Sequence, residues 1–230
     1  MTTKQYLILS LDLTWDRYNT NEIKINICYD TLMKKSLVVI HGGMTFDTYE
    51  EYWKYLESCE LTIEKINKKD WKDGLAKELP DLEVLYPKMP NSKNSRYPEW
   101  KLWFEKLFHL LSDEVVLLGH SLGGIFLAKY LSENDFPKKI AQLHLVAAPY
   151  DTEVIKDSLA DFALASTVEK VSSKTDKIFL YQSKDDTAVA YADVIKYKRD
   201  LPSAILVEFE DRGHFTGEEF PELVKNIRNK

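Results

Sequence analysis

Gly119-His120-Ser121-Leu122-Gly123, followed by Gly124, is the stretch of this chain whose residue types and spacing could do covalent chemistry. It comes directly after the β-branched run EVVLL and directly before the helix-like run IFLAKYLSEN. Between a strand and a helix, G-x-S-x-G forms a turn so tight that glycines must flank the serine, which leaves Oγ exposed above the strand end. The N–H groups opening the following helix point to the same place. Alone the pattern is weak, since ordinary glycine and serine usage of about 7% each gives it by chance in roughly one such chain in a dozen. Its setting between strand and helix is what makes Ser121 a candidate nucleophile.

A serine needs a base to take its proton, and the base needs a carboxylate to hold its tautomer. Of five histidines, His41 falls at a strand end, His109 on a helix, His120 inside the turn and His144 in mid-strand, where a structural role is the default. His214 differs. It lies in Asp211-Arg212-Gly213-His214-Phe215, just past the last strand, where a loop can carry it to the sheet edge. The acid is sought in Ser183-Lys184-Asp185-Asp186-Thr187-Ala188-Val189, after the run KIFLY. Asp186 is preferred to Asp185 because an apolar residue, Val189, follows it by three; Asp151 is the outside candidate. A third strand, Leu37–Ile40, runs into His41-Gly42-Gly43, whose N–H groups could approach an oxyanion closely. The expected donors are the N–H of Leu122 and one from the Gly42–Met44 turn, with Gly43 preferred.

These residues need a scaffold, and the chain can supply one. Its 230 residues suit one α/β domain, and 44% hydrophobic content supports a sizeable core. A net charge of −6 with scattered basic residues argues against nucleic acid, which requires a basic stripe. Cys28 and Cys59 form no framework, and no residue cluster has metal-ligand spacing, so neither metal nor cofactor is expected. The N-terminus lacks the features of a signal peptide and no apolar run could span a bilayer, so a cytoplasmic protein without membrane association is expected.

Strands are expected at Tyr6–Leu13, Ile23–Tyr29, Leu37–Ile40, Leu82–Tyr86, Glu114–Leu118, Ile140–Ala147, Lys177–Tyr181 and Ala204–Phe209. The first two read as an antiparallel hairpin within residues 1–35. The rest alternate with helical patterns, which implies parallel strands and crossover helices in a mostly parallel sheet of about eight strands, with helices on both faces. Asp47 and Glu50 read as a capping box that opens a helix with Tyr49, Tyr52, Trp53 and Leu56 on one face. Pro98 suits a first helical position, with Trp100, Trp103, Phe104, Leu107, Phe108 and Leu111 as a core-facing stripe. Asn91–Tyr97 reads as a polar loop at the rim of the site. Asp151–Thr175 has room for one or two helices, and no large lid domain is expected.

With LVVIHGG, LEVLYPKMPN, VVLLGHSLGG, YQSKDDTAV and RGHF in place, the sequence resembles the α/β-hydrolase superfamily from about Leu37 to the C-terminus. Within it, the chain is similar to the small serine hydrolases grouped with retinoblastoma-binding protein. That resemblance implies an acid after strand seven, a histidine after strand eight, a nucleophile after strand five and an oxyanion loop after strand three. Asp186, His214, Ser121 and Gly42–Gly43 follow those strands. Two features depart from the pattern: the N-terminal hairpin and the paired aspartates. Neither cysteine is framed as Leu-x-Cys-x-Glu, since Cys28 stands between Asn26 and Asp30 and Cys59 between Glu57 and Leu61. A retinoblastoma partner is therefore not implied, and the protein partner is left open.

The expected activity is cleavage of small carboxylic esters or thioesters through an acyl-enzyme on Ser121. An acyltransferase using the same residues and a non-catalytic binding protein on the same fold are the alternatives. A modestly covered site implies small or mid-sized substrates.

Overall fold

Six β-branched runs of this chain line up in one sheet, because each is flanked by helices whose apolar faces need a surface to cover. The computed structural model describes residues 34–229 apart from 155, 156 and 176. The expected hairpin strands and Cys28 fall in residues 1–33, outside the described residues. Residues 34–230 form one compact unit.

The strands are β1 (Lys35–Ile40), β2 (Leu82–Leu85), β3 (Glu114–His120), β4 (Lys139–Val146), β5 (Ile178–Ser183) and β6 (Ile205–Phe209). They run in the order β2-β1-β3-β4-β5-β6, every neighbouring pair parallel. The expected count of about eight is thus corrected to six among the described residues. The chain adds β2 outside β1, then returns across β1 to lay down β3. That reversal leaves a crevice beyond the carboxyl ends of β1 and β3, the usual place for a ligand in such sheets. Ile40 pairs with Gly119, so the loop after β1 and the serine turn leave the sheet side by side.

The helices are α1 (Tyr49–Ser58), α2 (Ile63–Asn67), α3 (Trp71–Glu78), α4 (Tyr97–Glu105), α5 (Leu122–Glu133), α6 (Tyr191–Asp200) and α7 (Pro221–Arg228). Alternate side chains along each strand feed two cores. Val38, Ile40, Val115 and Leu117 pack with Trp100 and Phe104 of α4, Ile125 of α5 and Tyr197 of α6. Leu37, Val39, Val116 and Leu118 pack with Trp71 and Leu75 of α3 and with Leu223 and Ile227 of α7. Helix α5 is buried from Leu122 to Leu131, as expected of a helix apolar all round. Among the described residues, no helix is long and apolar enough to cross a membrane.

Two expectations about helices are corrected. The box opening α1 is Thr48 with Glu51, not Asp47 with Glu50. Asp47 is engaged elsewhere, its Oδ1 accepting from Ser158 Oγ at 2.5 Å. The aromatic residues of α1 do not enter either core. Tyr49 is 67% and Trp53 52% exposed, and Tyr52 and Tyr55 each pack on Phe46. The stripe from Trp100 meets the core at Phe104, Leu107, Phe108 and Leu111, but the helix expected to carry it is shorter. Helix α4 ends at Glu105, and a 3₁₀ turn at Phe108–Leu110 follows. Trp100 and Phe104 are fully buried, whereas Trp103 is exposed. The described residues of 151–175 hold two 3₁₀ turns, Ala160–Phe162 and Glu169–Ser173.

These exposures set an expected contrast in stability. Trp100→Ala should lower the unfolding free energy by about 3–5 kcal/mol, because it opens a cavity in the core. Trp53→Ala should stay within about 0.5 kcal/mol of the parent. Urea unfolding monitored by circular dichroism measures both, and a comparable loss from the two would contradict this packing.

Candidate active site

The turn from β3 to α5 places Ser121 at φ 56° and ψ −125°, a left-handed conformation that costs a non-glycine residue about 1–3 kcal/mol. Two glycines make it possible. A Cβ on Gly119 would lie 2.3 Å from the Gly123 carbonyl oxygen, and one on Gly123 would lie 2.3 Å from that of Ile40. The backbone is so closely approached there that no side chain fits. The Ser121 N–H donates to the Val146 carbonyl at 2.8 Å, which ties the turn to β4.

His214 arrives from the loop after β6. Its Nε2 is 2.9 Å from Ser121 Oγ, and its Nδ1 is 2.9 Å from Asp186 Oδ2. A carboxylate can only accept, so Nδ1 carries the proton and Nε2 presents its lone pair to the serine hydroxyl. The Asp186 carboxylate is fully buried. Its Oδ1 accepts from the N–H groups of Ala188 and Val189 at 2.8 and 3.0 Å, and Gln182 Nε2 approaches Oδ2 at 3.3 Å.

The neighbouring aspartate does a different job. Asp185 Oδ1 accepts from Ser183 Oγ at 2.5 Å and from the Gly213 N–H at 2.8 Å, and these bonds hold its carboxyl below the usual range. Ser183 Oγ in turn accepts from the Arg212 N–H at 2.9 Å. Asp185 therefore braces the backbone ahead of His214, while Asp186 faces the ring. Asp151 stays apart, bonded to Lys196 and to the Glu153 N–H.

After β1, Gly42 passes so close to the turn that a Cβ there would lie 3.0 Å from Ser121 Cβ. The Met44 N–H is used by the Ser92 carbonyl at 2.9 Å. Among the described residues, the N–H groups of Gly42, Gly43 and Leu122 meet no protein acceptor, so they are the donors available beside Ser121. The loop Asn91–Tyr97 does lie on this rim: Ser95 N–H donates to the Met44 carbonyl, and Gly43 packs on Ser95. Thr45 Oγ1 donates to the Ser158 carbonyl, which ties the segment after β4 to the same loop. His41 Nε2 accepts from the Met89 N–H at 2.8 Å, and burial pushes the ring below its usual pKa.

The remaining histidines are placed as follows. His109 sits in the exposed 3₁₀ turn. His144 is fully buried in β4, its Nδ1 taking the Tyr181 hydroxyl proton at 2.9 Å and its Nε2–H donating to Gln142 Oε1 at 3.0 Å. His120 lies behind the serine turn against Lys72, a buried lysine that sequence patterning gave no reason to single out. Among the described residues no group of histidine, cysteine, aspartate or glutamate could hold a metal ion. The surface cavity of about 890 Å³ lined by Glu60, Lys68, Asp70 and Thr216 does not include Ser121.

A sequence model of the serine hydrolase family matches residues 63–221. The rat serine hydrolase RBBP9 is 25% identical over 160 residues, 66% of this chain and 80% of that protein. The ydeN gene product of B. subtilis has a similar structure, with TM-score 0.63 at 20% identity over 84% of this chain and 96% of that one. The Pyrococcus furiosus esterase Pf2001 aligns with TM-score 0.51 at 18% identity, covering 86% and 80% of the two chains. Est1E from Butyrivibrio proteoclasticus, solved with ferulic acid bound, gives TM-score 0.51 at 15% identity, covering 85% and 86%. At these identities the solved structures share the fold.

Burial of two histidines sets a pH dependence of stability. His144 is pushed down to about 3 and His120 well below its usual value, both chiefly by desolvation. Their folded pKa values lie below the unfolded value, so the unfolded chain binds more protons once the pH drops under about 6.5. The stability they contribute is present above that pH and is lost as the pH falls below it, for His144 down toward about 3. Each buried histidine should steepen the loss by up to ~1.4 kcal/mol per pH unit. Urea titrations at a series of pH values should show His144→Gln with a slope shallower by about that amount, and an unchanged slope would refute the assignment.

Proposed function

This chain belongs to the serine hydrolase family, and we propose that it cleaves small carboxylic esters or thioesters through an acyl-enzyme on Ser121. The observation that carries this reading is the His214 ring, bonded at 2.9 Å to Ser121 Oγ on one side and at 2.9 Å to Asp186 on the other.

Ser121 Oγ attacks the substrate carbonyl carbon while its proton passes to His214 Nε2. Asp186 holds the imidazolium that forms, and the N–H groups of Leu122 and Gly43 receive the negative charge on the carbonyl oxygen. The tetrahedral intermediate collapses, and Nε2 gives its proton to the departing alcohol or thiol. A water then attacks the acyl-enzyme with His214 again as base; the acyl carbon–Oγ bond breaks, Nε2 returns its proton to Ser121 Oγ, and the carboxylic acid departs. An ester as the bond broken is supported by the Pyrococcus furiosus esterase among the structurally similar proteins. A cytoplasmic setting suits the exposed, unbridged thiol of Cys59, because such a compartment keeps thiols reduced.

A fluorophosphonate probe tests the core of this reading, since its phosphorus adduct imitates the tetrahedral intermediate. Labelling should occur at one site, vanish in Ser121→Ala and fall steeply in His214→Ala, because such residues act as a unit worth about 10⁶ in kcat. Asp186→Asn should lower kcat by about 10⁴ through the wrong imidazole tautomer. Asp185→Asn should act mainly on stability. A pure, folded protein that resists the probe at high concentration would be a binding module on a hydrolase scaffold.

Substrate length follows from the rim. Thr45 Oγ1 donates to the Ser158 carbonyl and Ser158 Oγ donates to Asp47, which joins the segment after β4 to the loop after β1 at the edge where Ser121 lies. Each buried CH₂ adds about 0.8 kcal/mol only while there is surface to bury it. Across p-nitrophenyl esters of rising chain length, kcat/KM should stop climbing after a few carbons. A steady rise to long chains would indicate a long acyl groove instead.

A further inference from the structure

Asp70-Trp71-Lys72-Asp73 is a helix start in which Asp70 and Asp73 form a reciprocal cap, and a lysine two residues into such a helix ordinarily extends into solvent. Here the Lys72 side chain is only 3% exposed. A buried ammonium persists only when it is paired, and Lys72 has three partners. Nζ lies 2.6 Å from Asp70 Oδ2, 3.2 Å from His120 Nδ1 and 4.5 Å from the centre of the Trp71 ring.

These contacts fix the direction of each hydrogen bond. Asp70 can only accept and Lys72 can only donate, so an Nζ–H points at the Nδ1 lone pair of His120. The His120 proton is then on Nε2, which lies 3.0 Å from the main-chain carbonyl oxygen of His214 and donates to it. Both nitrogens of His120 are thereby occupied, and the ring is not a second base for Ser121. Burial and the Lys72 charge together hold it neutral. Burial also pushes Lys72 down, and Asp70 draws it back.

The same helical turn grips the histidine loop at two further points. Trp71 Nε1–H donates to the Phe215 carbonyl at 2.8 Å, and the Trp71 N–H donates to that of Gly217 at 3.0 Å. The loop needs such support. Gly213 and Phe215, on either side of His214, both have φ of 51°, and the second is not a glycine. Left-handed residues of this kind persist only where their surroundings over-determine them. The Asp185 bond to Gly213 N–H restrains one end of the loop, and the first turn of α3 restrains the other.

We propose that Lys72 is a positioning residue for acyl transfer: through His120 it holds the backbone of His214 so that the imidazole meets Ser121 Oγ. This rests on the reading of Ser121, His214 and Asp186 as the reacting set. Lys72 touches neither substrate nor reacting atoms. Its effect falls on the step in which the proton moves and leaves substrate binding alone, because a small displacement of a catalytic group costs rate rather than affinity.

Four variants and one spectrum test this. Lys72→Met keeps the stem and removes the donor, and should lower kcat about 10- to 100-fold with KM unchanged. His120→Leu, which cannot donate to His214, should do the same. The two losses should not add in the double variant, since both break one chain of bonds. His120→Gln is the rescue: its amide oxygen can accept from Lys72 and its amide nitrogen can donate to His214, so kcat should stay within about threefold of the parent. Long-range ¹H–¹⁵N spectra of the wild-type protein should show His120 as the Nε2–H tautomer, unchanged between about pH 5 and 8.

Folded Lys72→Met with parental kcat overturns the proposal, as does a rise in KM alone or an Nδ1–H tautomer at His120. If Lys72→Met does not fold, the contrast between His120→Leu and His120→Gln and the tautomer still decide. Wild-type protein that resists the fluorophosphonate probe would remove the underlying reading instead, and that failure is seen before any variant is made.

Discussion

A single left-handed residue, Ser121, governs much of this molecule. To hold φ at 56° there, β3 must end, reverse and open α5 within one residue, and the chain must pass within atomic contact of β1. The strain is offset by what lies on either side. The β3 ladder pairs with β1 and β4, and α5 buries ten consecutive residues from Leu122 to Leu131. A helix so completely enclosed cannot tilt to relax the turn. The cost of exposing Oγ is thus carried by the centre of the fold, where burial of large side chains contributes most.

The order of the strands adds a second constraint. Because β3 crosses back over β1, the loops after those two strands leave the same edge together, and Gly42 comes to rest against Ser121. The loops after β5 and β6 arrive at the same edge from the other side. Lys184 N–H bonds to the Phe209 carbonyl, so the acid loop and the histidine loop are joined before either reaches the serine. Two adjacent aspartates divide the work at that junction. Asp185 takes the Gly213 N–H on the histidine side, and Asp186 takes the N–H groups of its own turn and the ring. Neither could do both, because successive side chains in a tight turn point different ways.

Much of this was legible in the sequence, because the signals are local. The six described strands lie within one or two residues of their β-branched runs, since such runs bury well only between two helical layers. Gly119, Ser121 and Gly123 announce a tight turn through their spacing, and their setting between strand and helix gives that turn a place. The histidine after the last strand and the acid loop after the strand before it follow from chain order alone. An apolar residue three positions after Asp186 singled it out from Asp185.

Tertiary structure decided what depends on partners far away in the chain. Asp47 does not cap α1 because Ser158, 111 residues on, takes its carboxylate, and the cap moves to Thr48. The aromatic face of α1 has helical spacing, but periodicity cannot say whether a core lies opposite, and its rings pack on one another instead. The Met44 N–H is not free beside Ser121 because the Ser92 carbonyl takes it. Nothing in the local sequence marks Lys72, and its burial comes from Asp70 and His120, which enclose it. In each case the sequence fixes the local conformation through sterics and hydrogen bonds within a few residues, whereas burial and pairing of a charge are settled by whichever distant group the fold brings against it.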